Sequence, residues 1–270
     1  MARQLAQKPS LWVERLARLG YAAKGVVYGI VGLLAAQAAF GAGGKTTDTR
    51  GALQEIVAQP FGKFLLAVVA LGLVGYVLWR FVQAIKDPEN KGTDAKGILQ
   101  RIGYGISGVI YAGLAISAVR IVLGAAGGNS NSTQDWTARL LSQPFGQWLV
   151  GTVGAFIIGL GFYQFYKAFT AKFRKELNLT QLSDTEHKWV LGISGFGLAA
   201  RGIVFCVIGF FLIQAARQSD ASEARGLGEA LQALAQQPYG PWVLGIVALG
   251  LVAYGIYMVI QARYRRINRI

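Results

Sequence analysis

Three copies of one short motif constrain this chain more than anything else in it. Gln59-Pro60-Phe61-Gly62 returns as Gln143-Pro144-Phe145-Gly146 and again as Gln237-Pro238-Tyr239-Gly240. A second block, anchored on Gly20 and Gly25, Gly103 and Gly108, and Gly197 and Gly202, recurs with nearly the same interval, so the two blocks move as one unit. Between them each unit carries two long apolar stretches, at roughly 21–40 and 61–85, 102–124 and 145–170, and 191–216 and 239–263. A membrane crossing needs about 20 apolar residues at 1.5 Å each. With 15% charged residues and 36 glycines in 270, the composition fits membrane helices better than a water-soluble domain.

The expected fold is therefore an all-α integral membrane protein: six transmembrane helices in three helix-pair repeats of one orientation, pseudo-three-fold about the membrane normal, with short amphipathic surface helices. One membrane domain spans 1–270, and its repeats cover about 10–86, 94–170 and 184–264.

Charge orients the array. Both chain ends and the two inter-repeat loops hold sixteen basic residues, among them Arg15, Arg18, Lys91, Arg101, Lys172, Lys175 and Arg265. The opposite loops hold six: Lys45, Arg50, Lys63, Arg139, Arg217 and Arg225. The positive-inside rule then puts both termini in the cytoplasm and the three Gln-Pro corners outside. The net charge of +14 hugs the membrane edges in blocks instead of forming one groove, so anionic lipid is the expected partner and nucleic acid is not.

Chemistry-bearing residues are scarce. The chain has one histidine and one cysteine, and no carboxylate falls inside an apolar stretch. No nucleophile, acid–base pair, metal set or cofactor motif is visible, and no carboxylate proton relay crosses the spans, so no enzyme and no cofactor are expected.

Packing signals are stronger. The odd helices align small residues at Gly25 and Gly29, Gly108 and Ala112, and Gly202 and Cys206, a stripe that lets helices approach closely in lipid. Cys206 reads as a packing residue. Pro60, Pro144 and Pro238 each mark a sharp corner, with the proline expected to open the following helix. Ser10 is expected to cap a first amphipathic turn, and Ser183-Asp184-Thr185-Glu186 matches a capping box. Aromatics at both ends of the even helices (Phe61, Phe145, Tyr239; Trp79, Tyr163, Tyr257) are expected to anchor at the two interfaces.

Three helix pairs with a Gly-Tyr-x-x-x-Gly start and a Gln-Pro-Phe-Gly corner resemble a bacterial membrane family known as domain of unknown function 1206. The starts are Gly20-Tyr21-Ala22-Ala23-Lys24-Gly25 and Gly103-Tyr104-Gly105-Ile106-Ser107-Gly108, with Leu198 replacing tyrosine in the third unit. The resemblance implies six spans and a bacterial plasma membrane, or another bacterial internal membrane such as a thylakoid. It brings no catalytic residue.

Two functional readings remain. The first is a non-enzymatic scaffold, assembly or lipid-interacting module, with membrane lipids and other membrane proteins as partners. In it Lys24, Arg80, Lys167 and Arg201 reach out to inner-face phosphates and Arg120 to the outer face. The second is a small-solute transporter or channel, in which the same five residues attract an anion.

Overall fold

The computed structural model describes residues 11–125, 132–180 and 182–266. Among these the chain is helical, with no strand and one isolated bridge between Leu177 and Arg265. Six helices are long and apolar enough to span a membrane: α1 (Leu11–Ala39), α3 (Gly62–Lys86), α4 (Ala95–Val122), α6 (Gly146–Phe169), α7 (Asp184–Gln218) and α9 (Gly240–Tyr264). Three short helices, α2 (Thr49–Ala58), α5 (Ser132–Leu141) and α8 (Leu227–Ala235), precede the three corners.

The odd member of each pair is longer than its apolar stretch. The amphipathic segment expected to lie ahead of it is fused into the same helix, because no breaker separates the two. With 35 residues α7 is about 52 Å long, well beyond a hydrocarbon core of about 30 Å. Its capping box is formed as expected: Ser183 accepts from the Glu186 backbone, and the Glu186 carboxylate accepts from the Ser183 N–H. The expected cap at Ser10 lies outside the described residues.

The corners differ from expectation. Each helix starts at the glycine two residues past the proline, not at the proline. Phe61, Phe145 and Tyr239 sit between them at φ 59°, 61° and 61°. Gly62, Gly146 and Gly240 each donate to the motif's glutamine carbonyl, closing a four-residue turn whose third position must be left-handed. Glycine is required at the fourth: a Cβ on Gly62 would lie 2.4 Å from the carbonyl oxygens of Ile56 and Val57. The left-handed aromatic ring is thrown outward and exposed in all three units.

Packing follows a repeated rule. Each odd helix lies on the even helix of another unit: α1 on α9, α4 on α3, α7 on α6. The small-residue stripes form these seams. A Cβ on Gly25 would meet the Gly255 carbonyl oxygen at 2.7 Å, and one on Gly202 would meet that of Gly161 at 3.0 Å. Gly108 faces the side chains of Arg80 and Phe81 instead, and Cys206 Sγ would be 2.6 Å from a Cβ on Gly161. Arginine locks two of the seams, Arg18 donating to the Ala262 carbonyl at the end of α9 and Arg101 to that of Ala84 at the end of α3.

A second set of contacts joins the helices within a unit, and it is made only twice. Helices α1 and α3 pack together, as do α7 and α9, whereas α4 and α6 share no comparable interface among the described residues. Neighbours therefore run α4, α3, α1, α9, α7, α6, an incomplete ring with a gap at the second unit. Side-chain size explains the gap. In the first unit a Cβ on Gly72 would lie 2.5 Å from the Ala23 Cβ, and in the third a Cβ on Gly250 would lie 2.2 Å from that of Ala200. The second unit has Phe156 and Ile106 at these places. Two large residues cannot occupy a seam that excludes a methyl group.

Exposure records the result. Ile110 is 66% exposed, whereas Val27 and Val204 at the same repeat position are 1% and 2% exposed. Tyr163 is 48% exposed against 1% for Trp79 and 1% for Tyr257. These last two correct the expectation of an inner aromatic belt: Trp79 and Tyr257 are core residues, and only the outer aromatics and Tyr163 face outward.

Candidate functional site

Repeat symmetry gathers tyrosines at the middle of the bundle. Tyr28 and Tyr111 hold one repeat position on α1 and α4, and Tyr76 and Tyr254 hold another on α3 and α9. All four are buried and packed edge to face, Tyr28 with Tyr254 and Tyr76 with Tyr111. Their rings surround Lys24, whose Nζ lies 4.5 Å from the Tyr111 centroid and 4.8 Å from that of Tyr76. The ammonium donates to Tyr76 Oη at 3.0 Å. Tyr76 Oη also accepts from Arg80 Nε at 2.8 Å, and Tyr254 Oη accepts from Arg201 Nη1 at 2.6 Å.

Lys24, Arg80 and Arg201 are thus brought together. Lys24 does not reach outward to phosphate, because its ammonium is buried among the four rings and donates to Tyr76. Lys167 behaves differently, pairing with Glu176 at 2.7 Å. Arg120 stands apart, exposed in the last turn of α4.

A second polar cluster closes the end of the bundle at which α1 begins and α9 finishes. Here Gln83, Lys167 and Gln261, which share one repeat position, meet two carboxylates from the inter-repeat loops. Glu89 accepts from Gln83 and from Arg265, each at 2.7 Å, and Glu176 bridges Lys167 and Arg265. Arg265 is buried and lies over the Tyr21 ring at 4.9 Å. Burial alone would raise the Glu89 pKa, but the charge and hydrogen bond of Arg265, with Lys91 and Arg80 behind, hold it at about 2. Burial likewise opposes ionisation of Glu176, and Lys167 and Arg265 outweigh it, so its pKa is also lowered.

The gap between α4 and α6 is the third feature. Its walls are apolar: Ile106, Ile110, Phe156 and Leu160 are all exposed. The mouth at the end where α4 begins and α6 finishes is basic. Lys172 Nζ lies 4.3 Å from the Tyr166 centroid, and Lys96 at the start of α4 and Lys175 are close enough to act on Tyr166 electrostatically. Lys91 acts likewise on Tyr163. Among the described residues no three His, Cys, Asp or Glu side chains gather as a metal site would require.

Sequence reading missed the tyrosine cage and the Arg265 network. The cage carried a usable signal, because tyrosine recurs at two repeat positions. Arg265 carried none, being one of four arginines in a terminal basic run.

These features define a multi-pass, all-helical membrane protein built from three tandem helix-pair units. The chain belongs to the family described as Domain of Unknown Function (DUF1206), whose model matches residues 19–87, 102–171 and 196–265. It is similar to the Uncharacterized protein YxxB of Bacillus subtilis (strain 168), with 40% identity over 265 residues, 98% of this chain and 96% of that one. No solved structure matches it.

Proposed function

We propose that this protein is a non-enzymatic module of the bacterial plasma membrane that holds anionic lipid in the gap between α4 and α6. One observation carries the reading: positions buried in the first and third units are exposed in the second, forming an apolar groove with lysines at one mouth. Acyl chains suit the walls, and a phosphate suits Lys96, Lys172 and Lys175, each exposed lysine adding about 1 kcal/mol of attraction to an anionic surface. The sixteen-to-six split of basic residues supports cytoplasmic termini.

Native mass spectrometry of protein extracted from a bacterial membrane tests the reading. Wild type should retain phosphatidylglycerol in preference to phosphatidylethanolamine, and Lys96→Gln with Lys172→Gln and Lys175→Gln should reduce that retention several-fold. Equal retention by the variant, or no preference for the anionic lipid, overturns it. The transporter reading is favoured by the cations at the tyrosine cage. An anion flux in proteoliposomes that the three rim substitutions leave intact would put it first. Orientation is checked in a Cys206→Ala background. An impermeant thiol reagent should label Ser142→Cys in intact cells and Arg174→Cys only after lysis.

A further inference from the structure

We infer that Lys24, Arg80 and Arg201 form one oxyanion-binding site inside the bundle, entered sideways between α4 and α6. The ligand class is a phosphate- or carboxylate-type anion.

The three cations are parts of one assembly. Lys24 and Arg80 share Tyr76 Oη as acceptor. Lys24 and Arg201 share two rings, each lying 5.8 Å from the Tyr28 centroid, with Tyr254 at 5.8 Å from Lys24 and 4.8 Å from Arg201. None of the three has a carboxylate partner among the described residues. Arg80 makes no ion pair with Glu89, reaching it by hydrogen bonds through Gln83 and by charge at longer range. The contrast lies within the molecule, since Lys167 and Arg265, also held between helices, are each ion-paired.

Cations in a low-dielectric interior are normally paired, and buried donors normally bonded. Arg201 Nε is buried with no acceptor, as is Arg265 Nε, but Arg265 has two carboxylates at its other nitrogens and Arg201 has only the Tyr254 hydroxyl among the described residues. Access lies on the side that the repeat leaves incomplete. Where the first and third units put Tyr76 and Tyr254, the second puts Leu160, exposed at the gap. Arg80 on α3 and Arg201 on α7 adjoin the two walls of that gap and are partly exposed, whereas Lys24 is buried behind them. The bland reading, a tyrosine box stapling helices together, leaves three neighbouring cations without a counter-charge among the described residues.

The test uses the full chain in phosphatidylcholine nanodiscs, with thermal unfolding as the readout. The probes are inorganic phosphate, dioctanoyl-phosphatidylglycerol and dioctanoyl-phosphatidylcholine. Saturable stabilisation by either anionic probe but not by phosphatidylcholine is expected. Arg201→Gln should weaken it about tenfold, the loss of one charged donor, and Arg201→Lys should recover much of it. Stabilisation by phosphatidylglycerol alone identifies a lipid headgroup as the source, and stabilisation by phosphate as well identifies a free oxyanion. Arg225→Gln, in the loop beyond the far end of α7 and stacked on Phe211, should change nothing. Because Lys24 is buried, Lys24→Gln is informative only if it folds, so Arg201 carries the test. No anion-dependent stabilisation, or equal stabilisation of wild type and Arg201→Gln, overturns the inference. The outcome separates from the groove reading: rim lysine variants that lose long-chain lipid while Arg201→Gln behaves as wild type leave the groove and remove the site.

Discussion

Arg265 shows how much one side chain holds at the residue scale. It neutralises Glu89 and Glu176, which come from different inter-repeat loops, and its neighbour Arg266 donates a backbone N–H to the Glu176 carbonyl. Removing it leaves Glu89 with Lys91 and Glu176 with Lys167, but takes away the one cation that joins the two loops and its charged hydrogen bonds, at a cost of about 2 kcal/mol. Arg265→Gln should therefore lower the melting temperature in detergent markedly, and Arg265→Lys less. The pH dependence follows from the sign of the shift. Glu89 is depressed from 4.5 to about 2, so its contribution is complete above about pH 4.5 and is lost as pH falls toward 2. Wild type should lose stability across that window, and Arg265→Gln should show a flatter profile in the same acid titration.

The element scale exposes what a repeat does and does not preserve. Gly20, Gly103 and Gly197 hold one position in three units, yet a Cβ would strike the Tyr76 backbone nitrogen at 2.5 Å in the first and the Tyr254 backbone nitrogen at 2.4 Å in the third. In the second it would meet nothing within 4 Å. Gly197→Ala should destabilise by about 1–3 kcal/mol through overpacking. Gly103→Ala should stabilise by up to about 1 kcal/mol through helix propensity. Thermal unfolding of the pair decides, and a loss in both would mean that α4 and α6 are in contact. The spans, the seam glycines and the capping box at Ser183 were legible in the sequence because each depends on local pattern. The gap was not, because it depends on which residues face each other across a seam. Phe156 and Ile106 look like ordinary membrane residues until they are aligned with Gly72 and Ala23.

For the whole molecule, the question is whether the incomplete ring stays open. In a Cys206→Ala background a lipid-soluble maleimide should label Ile110→Cys readily and Val27→Cys hardly at all. Adding Ile106→Ala and Phe156→Gly restores the small residues of the other two units, and should shield position 110 by letting α4 approach α6. Unchanged labelling after that repair would show that side-chain size does not hold the gap. The tyrosine cage was only half legible at this scale. Lys24 and Arg201 were aligned by the repeat, but their meeting depends on α9 lying between α1 and α7, an arrangement no single unit encodes.

That arrangement bears on how the protein is made. Of the six described spans α9 is synthesised last, and it supplies the seam for the first, the Tyr254 ring beside Lys24, and the residue that leads into Arg265. Until it emerges, the glycine face of α1 has no helix to meet, and Glu89 and Glu176 wait in the loops without their shared arginine. The five preceding spans must therefore be inserted and held in a half-assembled state, with Lys24 only partly caged, until α9 follows. A chain cut before α9 would keep the glycine block of all three odd helices and two complete corners, and still be unable to close its core.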